Sequence, residues 1–249
     1  MSAVSSAEAI AHSRPRFSTR WRPLDAWLAL LLPLLMPIVA LLSIEVWLTI
    51  TGQQRLLETL RGDTIEAVAV GYGLSILIEI GIIIWLMRLR QARISDLGLR
   101  PAKLRWYWAA GGVYLIQAIV ILIIFALIDR FVPGINTQEQ QSVFDFGAQG
   151  LGWWVSFAAA VVVAPVLEEI VFRGIIFAGF ASRWHPVLAA AVSSLAFAFL
   201  HGQVNVAIYT FLLGLALCWL YQKSGSIWPG IVLHFANNLI AFLLLTSGN

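Results

Sequence analysis

Residues 150–180 read GLGWWVSFAAAVVVAPVLEEIVFRGIIFAGF, and this stretch decides the class of the fold. Apart from Glu168, Glu169 and Arg173 it carries no charge. It exceeds the roughly 20 residues that a helix needs to cross about 30 Å of hydrocarbon. An acid or base at the centre of such a helix costs roughly 2.5–3.5 kcal/mol on insertion scales. A chain that accepts that cost repeatedly points to a site built inside the membrane. Pro165 stands three residues before Glu168 and has no N–H to donate. The span is therefore expected to bend there, freeing a carbonyl and opening room for water.

Six further apolar runs surround this one, at 24–48, 65–87, 106–128, 186–201, 204–222 and 226–246. The expected fold is all-α, a polytopic transmembrane helical bundle of about seven spans, with the run at 186–201 short for a crossing. Composition agrees: 60% of residues are hydrophobic and 12% charged, about half the charge of a soluble domain. The first 23 residues are polar and basic without an apolar core, so no cleavable signal pattern is read there. The chain divides into a disordered cytoplasmic tail at 1–20, N-terminal transmembrane helices at 21–149, and a region at 150–249 that carries the chemistry. No internal repeat is evident, which disfavours an inverted-repeat transporter.

The net charge of +3 follows topology rather than a nucleic-acid partner. Arg14, Arg16, Arg20 and Arg22 precede the first span, and Arg88, Arg90, Arg93, Arg100, Lys103 and Arg105 lie between the second and third. The opposite loops balance Arg55, Arg61 and Arg130 with Glu58, Asp63, Asp129, Glu139 and Asp145. By the positive-inside rule the N-terminus is cytoplasmic. Trp21, Trp106, Trp108, Trp153, Trp154 and Trp228 fall at span ends as interfacial anchors. The polar run 136–141 reads as solvated loop, and Cys218 as a small packing residue. Glu45 is near an outer span end and is expected to reach the interface. Glu79 is deeper and reads as a hydrogen-bonded structural acid or as a support to the site.

Three spaced motifs interrupt the C-terminal spans. Glu169 and Arg173 are four apart and can pair on one helix face. Glu168 diverges from Glu169 by about 100°, which leaves it as the free carboxylate unless the two share a proton. Phe197 and His201 are four apart, as are His234 and Asn238. Each motif alone has a plain structural alternative: a buried Glu–Arg pair, a packing histidine, an interhelical hydrogen bond. At 1.5 Å per residue His234 lies roughly 8–12 Å, Glu168 roughly 15–20 Å and His201 roughly 22 Å from the cytoplasmic face. If the hairpin at 202–205 turns inside the membrane, the motifs meet in the inner half, open to the cytoplasm.

The ordered set Glu168, Glu169 and Arg173, then Phe197 and His201, then His234 and Asn238, resembles the CAAX protease and bacteriocin-processing (CPBP or Abi) family of intramembrane endopeptidases. The resemblance covers about residues 150–245. It implies hydrolysis of a peptide bond in a membrane-associated or prenylated, CAAX-type substrate. It makes Glu168 the base, His201 its partner, and His234 with Asn238 the oxyanion donors, supported by Glu169, Arg173 and Phe197. A glutamate mechanism without a cofactor is favoured. Zinc held by Glu168, His201 and His234 is the metal alternative. Neither His-Glu-x-x-His nor Gly-x-Ser-x-Gly occurs. The partners implied are a peptide or protein substrate and the lipid bilayer. The competing readings are a non-catalytic immunity or scaffold membrane protein of the same fold, and a transporter lined by the intramembrane charges.

Overall fold

The computed structural model describes residues 19–61, 65–132 and 150–247. Most of the expected tail and the polar run at 136–141 lie outside these residues. All seven apolar segments are helical, and no strand occurs among the described residues. We number the helices α1 (Pro23–Ile50), α2 (Gln54–Arg61), α3 (Ile65–Arg90), α4 (Leu104–Phe131), α5 (residues 150–181), α6 (Pro186–Phe199), α7 (Val204–Ser224) and α8 (Trp228–Ser247). Six of these are long and apolar enough to cross a membrane, and α6 is not. Its 14 residues reach about 21 Å at 1.5 Å per residue. The chain then turns at Gly202 and returns as α7, which packs along α6 as an antiparallel hairpin. The protein is thus an integral, multi-pass helical bundle, with the fifth apolar segment too short to span.

Helix α5 is not a uniform α-helix. Ala158–Val163 and Glu169–Phe177 are π-helical, separated by an α-helical turn from Ala164 to Glu168 that contains Pro165. Around Pro165, where the sequence predicts a bend, the helix widens on both sides. A π turn bonds i to i−5, so an N–H at 165 would reach the carbonyl of Ala160. Proline leaves that carbonyl open. Glu168 and His234, read at different depths from the sequence, come within 3.4 Å of each other.

Helices α1 and α3 are tied at their basic ends. The carboxylate of Asp25, fully buried, accepts from Arg90 Nη2 at 2.8 Å and Nε at 2.9 Å, and from the Arg22 amide at 2.8 Å. At their other ends Glu45 pairs with Arg61 of α2, in line with an acid at the interface.

The segment between α3 and α4 is more than a topology signal. Trp21 Nε1 donates to the Asp96 carbonyl at 2.7 Å, the Ile227 amide to the Gly98 carbonyl at 3.0 Å, and Ser226 Oγ to the Arg100 carbonyl at 2.5 Å. The Leu97 carbonyl lies so close to α5 that a Cβ on Gly174 would stand 2.5 Å from its oxygen. This segment closes the basic end of the bundle over α5, α7 and α8. The sequence reading left that end as an open cytoplasmic face.

The core lies where α1, α3, α5, α6 and α7 meet. It centres on the second π segment, with Ile175, Ile176, Phe177 and Phe180 fully buried. A smaller cluster joins α4 to α7 and α8 through Ala110, Leu213, Leu217, Leu220 and Leu233.

Candidate active site

The two adjacent carboxylates receive different surroundings. Glu169 points into the bundle and its side chain is 1% exposed, while that of Glu168 is 29% exposed. Only Glu168 can meet water directly. Arg173 Nη1 donates to Glu169 Oε1 at 2.8 Å, as the four-residue spacing predicts. The arginine is itself buried, and its guanidinium sits 4.6 Å from the centre of the Phe197 ring. A buried carboxylate without a partner would be costly; the pair and the ring's π face offset that cost.

His234 joins the two glutamates. Its Nδ1 lies 3.1 Å from Glu169 Oε1, the oxygen that Arg173 also holds, and its Nε2 lies 3.4 Å from Glu168 Oε2. A carboxylate accepts only, so Nδ1 carries the proton toward Glu169. Nε2 is then the nitrogen turned to Glu168. The sequence argument set the two carboxylates about 100° apart so that they could not meet at one water; they meet instead at opposite nitrogens of one imidazole. Glycine at 230 makes room for this, because a Cβ there would stand 2.9 Å from Glu169 Oε2.

Phe197 stands between the two histidines. Its ring is edge-on to His201 at 4.8 Å and to His234 at 5.7 Å, and it also packs on Phe172 at 4.9 Å. His201 lies just past the end of α6. Its Nδ1 is 2.8 Å from the Phe197 carbonyl, one of the last-turn carbonyls that a helix leaves without an internal donor. That bond fixes Nδ1 as the protonated nitrogen and leaves Nε2 able to accept. No direct hydrogen bond joins His201 to Glu168 or His234 among the described residues.

Asn238 answers the gap that Pro165 makes. Its Nδ2 donates to the Ala160 carbonyl at 2.9 Å, the oxygen that the proline cannot satisfy. Its Oδ1 accepts from Asn237 Nδ2 at 3.1 Å, and the Tyr209 hydroxyl donates to Asn237 Oδ1. One Nδ2–H of Asn238 remains to donate elsewhere. Asn237 is part of this chain of hydrogen bonds. Tyr209 was not singled out; its signal was a phenol in an apolar span, which needs a partner when buried. Tyr72 and Glu79 of α3 lie within electrostatic reach of Glu168.

Among the described residues no group of three or more His, Cys, Asp or Glu side chains is placed to hold a metal ion.

Residues 150–240 match the family model described as "Type II CAAX prenyl endopeptidase Rce1-like". This bears out the resemblance drawn from the three motifs, and it covers all of them. Among curated proteins, "Putative membrane peptidase YdiL" of Bacillus subtilis (strain 168) is 26% identical over 139 residues, 55% of this chain and 55% of the relative. "UPF0177 protein YbdI" of Lactococcus lactis subsp. lactis (strain IL1403) is 26% identical over 116 residues, 46% of this chain and 62% of the relative. The chain thus spans less than two thirds of the length of either relative. No solved structure matches the chain significantly.

Proposed function

We propose that this protein is an intramembrane endopeptidase, hydrolysing a peptide bond of a membrane-associated or prenylated, CAAX-type substrate. The chemistry resides in residues 150–249, the helices of 21–149 surround it, and the N-terminus is cytoplasmic. One observation carries the reading: a water-accessible glutamate, Glu168, faces His234 Nε2, while the far side of that ring is held by the buried Glu169–Arg173 pair.

In this mechanism Glu168 takes a proton from water, whose oxygen attacks the scissile carbonyl carbon. A carboxylate close to a water and to the carbonyl is the geometry that general-base catalysis requires. Negative charge develops on the carbonyl oxygen, where the free Nδ2–H of Asn238 is a donor at hand; His234, whose Nδ1–H is held by Glu169, donates there only when Nε2 is protonated as well. As the carbon–nitrogen bond breaks, the proton held by Glu168 passes to the leaving amine. His201 partners the water through Nε2, its other nitrogen being committed to the Phe197 carbonyl. Glu169 and Arg173 touch no reacting atom; they set the tautomer and the angle of His234. No step passes through a metal.

The test uses the full-length protein in liposomes with a pool of quenched fluorescent membrane peptides, prenylated and unprenylated. The wild type is expected to cleave part of the pool, and Glu168→Gln to cleave none while keeping its thermal stability. Activity is expected to survive exhaustive chelation. Full turnover in Glu168→Gln removes the glutamate mechanism. Loss on chelation with recovery on zinc replaces it with a metal mechanism.

A further inference from the structure

Gln117 lies in the middle of α4, and only 6% of it is exposed. Neither its carboxamide oxygen nor its nitrogen has a hydrogen-bond partner among the described residues. In a low-dielectric interior a donor and an acceptor left unpaired carry a full desolvation penalty. A leucine in its place would avoid that penalty and suit the apolar surroundings. The residue therefore calls for a partner that arrives from outside the fold.

Its level in the bundle locates that partner. Helices α4 and α8 start side by side, where Ile227 and Ser226 bond the carbonyls of Gly98 and Arg100, so they run parallel. Ala110, Val113 and Tyr114 of α4 pack in one cluster with Leu233 of α8 and Tyr209 of α7. One turn further along, Gln117 follows Val113 on α4 as Asn237 follows Leu233 on α8. The apolar cluster thus gives way to a polar layer of Gln117, Tyr209, Asn237 and Asn238. The layer adjoins the Ala160 carbonyl and lies one turn along α8 from His234. Within it Tyr209, Asn237 and Asn238 bond one another or Ala160; Gln117 is the member left over. Helix α4 packs against α7 and α8, while Leu115, Ile116, Ile119, Leu122 and Ile123 on its outer side are exposed. Among the described residues its principal contacts are along this seam.

We propose that Gln117 is a substrate-binding residue whose carboxamide pairs with a main-chain peptide group of the substrate in the seam between α4 and α8. A carboxamide offers one acceptor oxygen and two N–H donors, the complement of a peptide N–H and C=O presented together. It recognises no side chain, so it suits an enzyme that grips an extended stretch of chain next to the bond it cuts. The inference rests on the peptidase reading and adds the face along which the substrate lies.

Gln117→Leu in the full-length protein tests it. Removing an unpaired buried amide is expected to raise the melting temperature in micelles by about a few degrees. A clear fall would mean that the side chain is satisfied by an internal water, and overturns the proposal. With a peptide cleaved by the wild type, KM is expected to rise about tenfold with kcat within about twofold, the signature of lost uniform binding. An unchanged KM, or a loss confined to kcat, overturns it. Binding of the membrane-peptide pool, whether or not it is cleaved, to the Glu168→Gln protein separates this inference from the peptidase reading. Binding weakened about tenfold by Gln117→Leu supports the inference even if no cleavage is found, whereas binding indifferent to Gln117 removes it alone. Absence of binding removes both. Methylating the peptide nitrogen that pairs with Gln117 should weaken binding to the Gln117 protein and not to the Gln117→Leu protein.

Discussion

Both halves of the chain are built of apolar helices, and they differ in what that apolar surface meets. In the first three spanning helices, α1, α3 and α4, only 6%, 17% and 11% of the apolar window is buried within the protein. In α5, α7 and α8 the shares are 50%, 44% and 33%. The N-terminal helices therefore present most of their side chains to lipid and keep charge pairs near their ends, at Asp25–Arg90 and Glu45–Arg61. The C-terminal helices turn inward and carry charge at mid-helix, at Glu168, Glu169, Arg173 and His234. Hydropathy alone does not separate a helix that faces lipid from one that faces protein, because both environments are apolar. The separating signal is where the polar residues fall along each helix. Mid-helix ionisable groups cluster in the more buried half, where the protein interior supplies their partners, and the exception, Glu79 of α3, lies within electrostatic reach of Glu168.

That contrast is sharpest at Arg173, where the largest stability effect is expected. Arg173→Leu takes the charge partner from the buried carboxylate of Glu169, the group that orients His234. Breaking a buried pair on one side costs about 3–5 kcal/mol, so the variant should fold poorly or melt far below the wild type. Replacing both members, as Glu169→Gln with Arg173→Leu, should restore much of the stability without restoring turnover, because no carboxylate then holds Nδ1 of His234. Thermal melts of both variants alongside cleavage assays check this. A single Arg173→Leu variant that is fully stable and merely inactive would show that the buried pair serves only the chemistry.

A smaller effect is expected at Asn238. Asn238→Ala removes one donor to the developing oxyanion, a loss that typically costs about 10²–10³ in rate. It also leaves the Ala160 carbonyl without its donor, at a cost of about 1–3 kcal/mol in stability. The two roles separate through Pro165. In a Pro165→Ala background the helix can satisfy Ala160 itself, so Asn238→Ala should then lose rate without losing stability. If the stability loss persists in that background, the account of Ala160 as the carbonyl freed by Pro165 is wrong.

These residues also mark what could be read in advance. The helical class, the positions of seven apolar segments, the short one at 186–199 and the Glu169–Arg173 pair all follow from local rules, namely hydropathy over a window and the i,i+4 spacing of a helix face. What escaped depends on departures from the α period or on partners distant in sequence. The meeting of Glu168 and Glu169 at one imidazole depends on His234, 65 residues beyond Glu169, which no local rule brings to them. The link from Asn238 to Ala160 spans 78 residues. The closure of the basic end by residues near Gly98 looked like a charged loop because its binding groups are backbone carbonyls, which carry no sequence signature. Gln117 could have been noticed as a lone amide in an apolar span, but its lack of partners is visible only in three dimensions.

The smallest effect belongs to the lipid-facing half and serves as the control for the rest. Glu45 and Arg61 form an ion pair with side chains 36% and 62% exposed, far from Glu168 and close to the ends of α1 and α2. Exposed pairs of this kind contribute about 0–1 kcal/mol, because water and salt screen them and ordering two long side chains costs entropy. Glu45→Gln should therefore move the melting temperature little and leave kcat and KM unchanged. Raising the salt concentration should shrink even that difference, whereas the buried Glu169–Arg173 pair should be nearly insensitive to salt. Melting curves of the wild type, Glu45→Gln and Arg173→Leu at low and high salt make the comparison directly. If Glu45→Gln proved as damaging as Arg173→Leu, the α1–α2 end would be part of the working site, and the division between a lipid-facing half and a chemical half would fail.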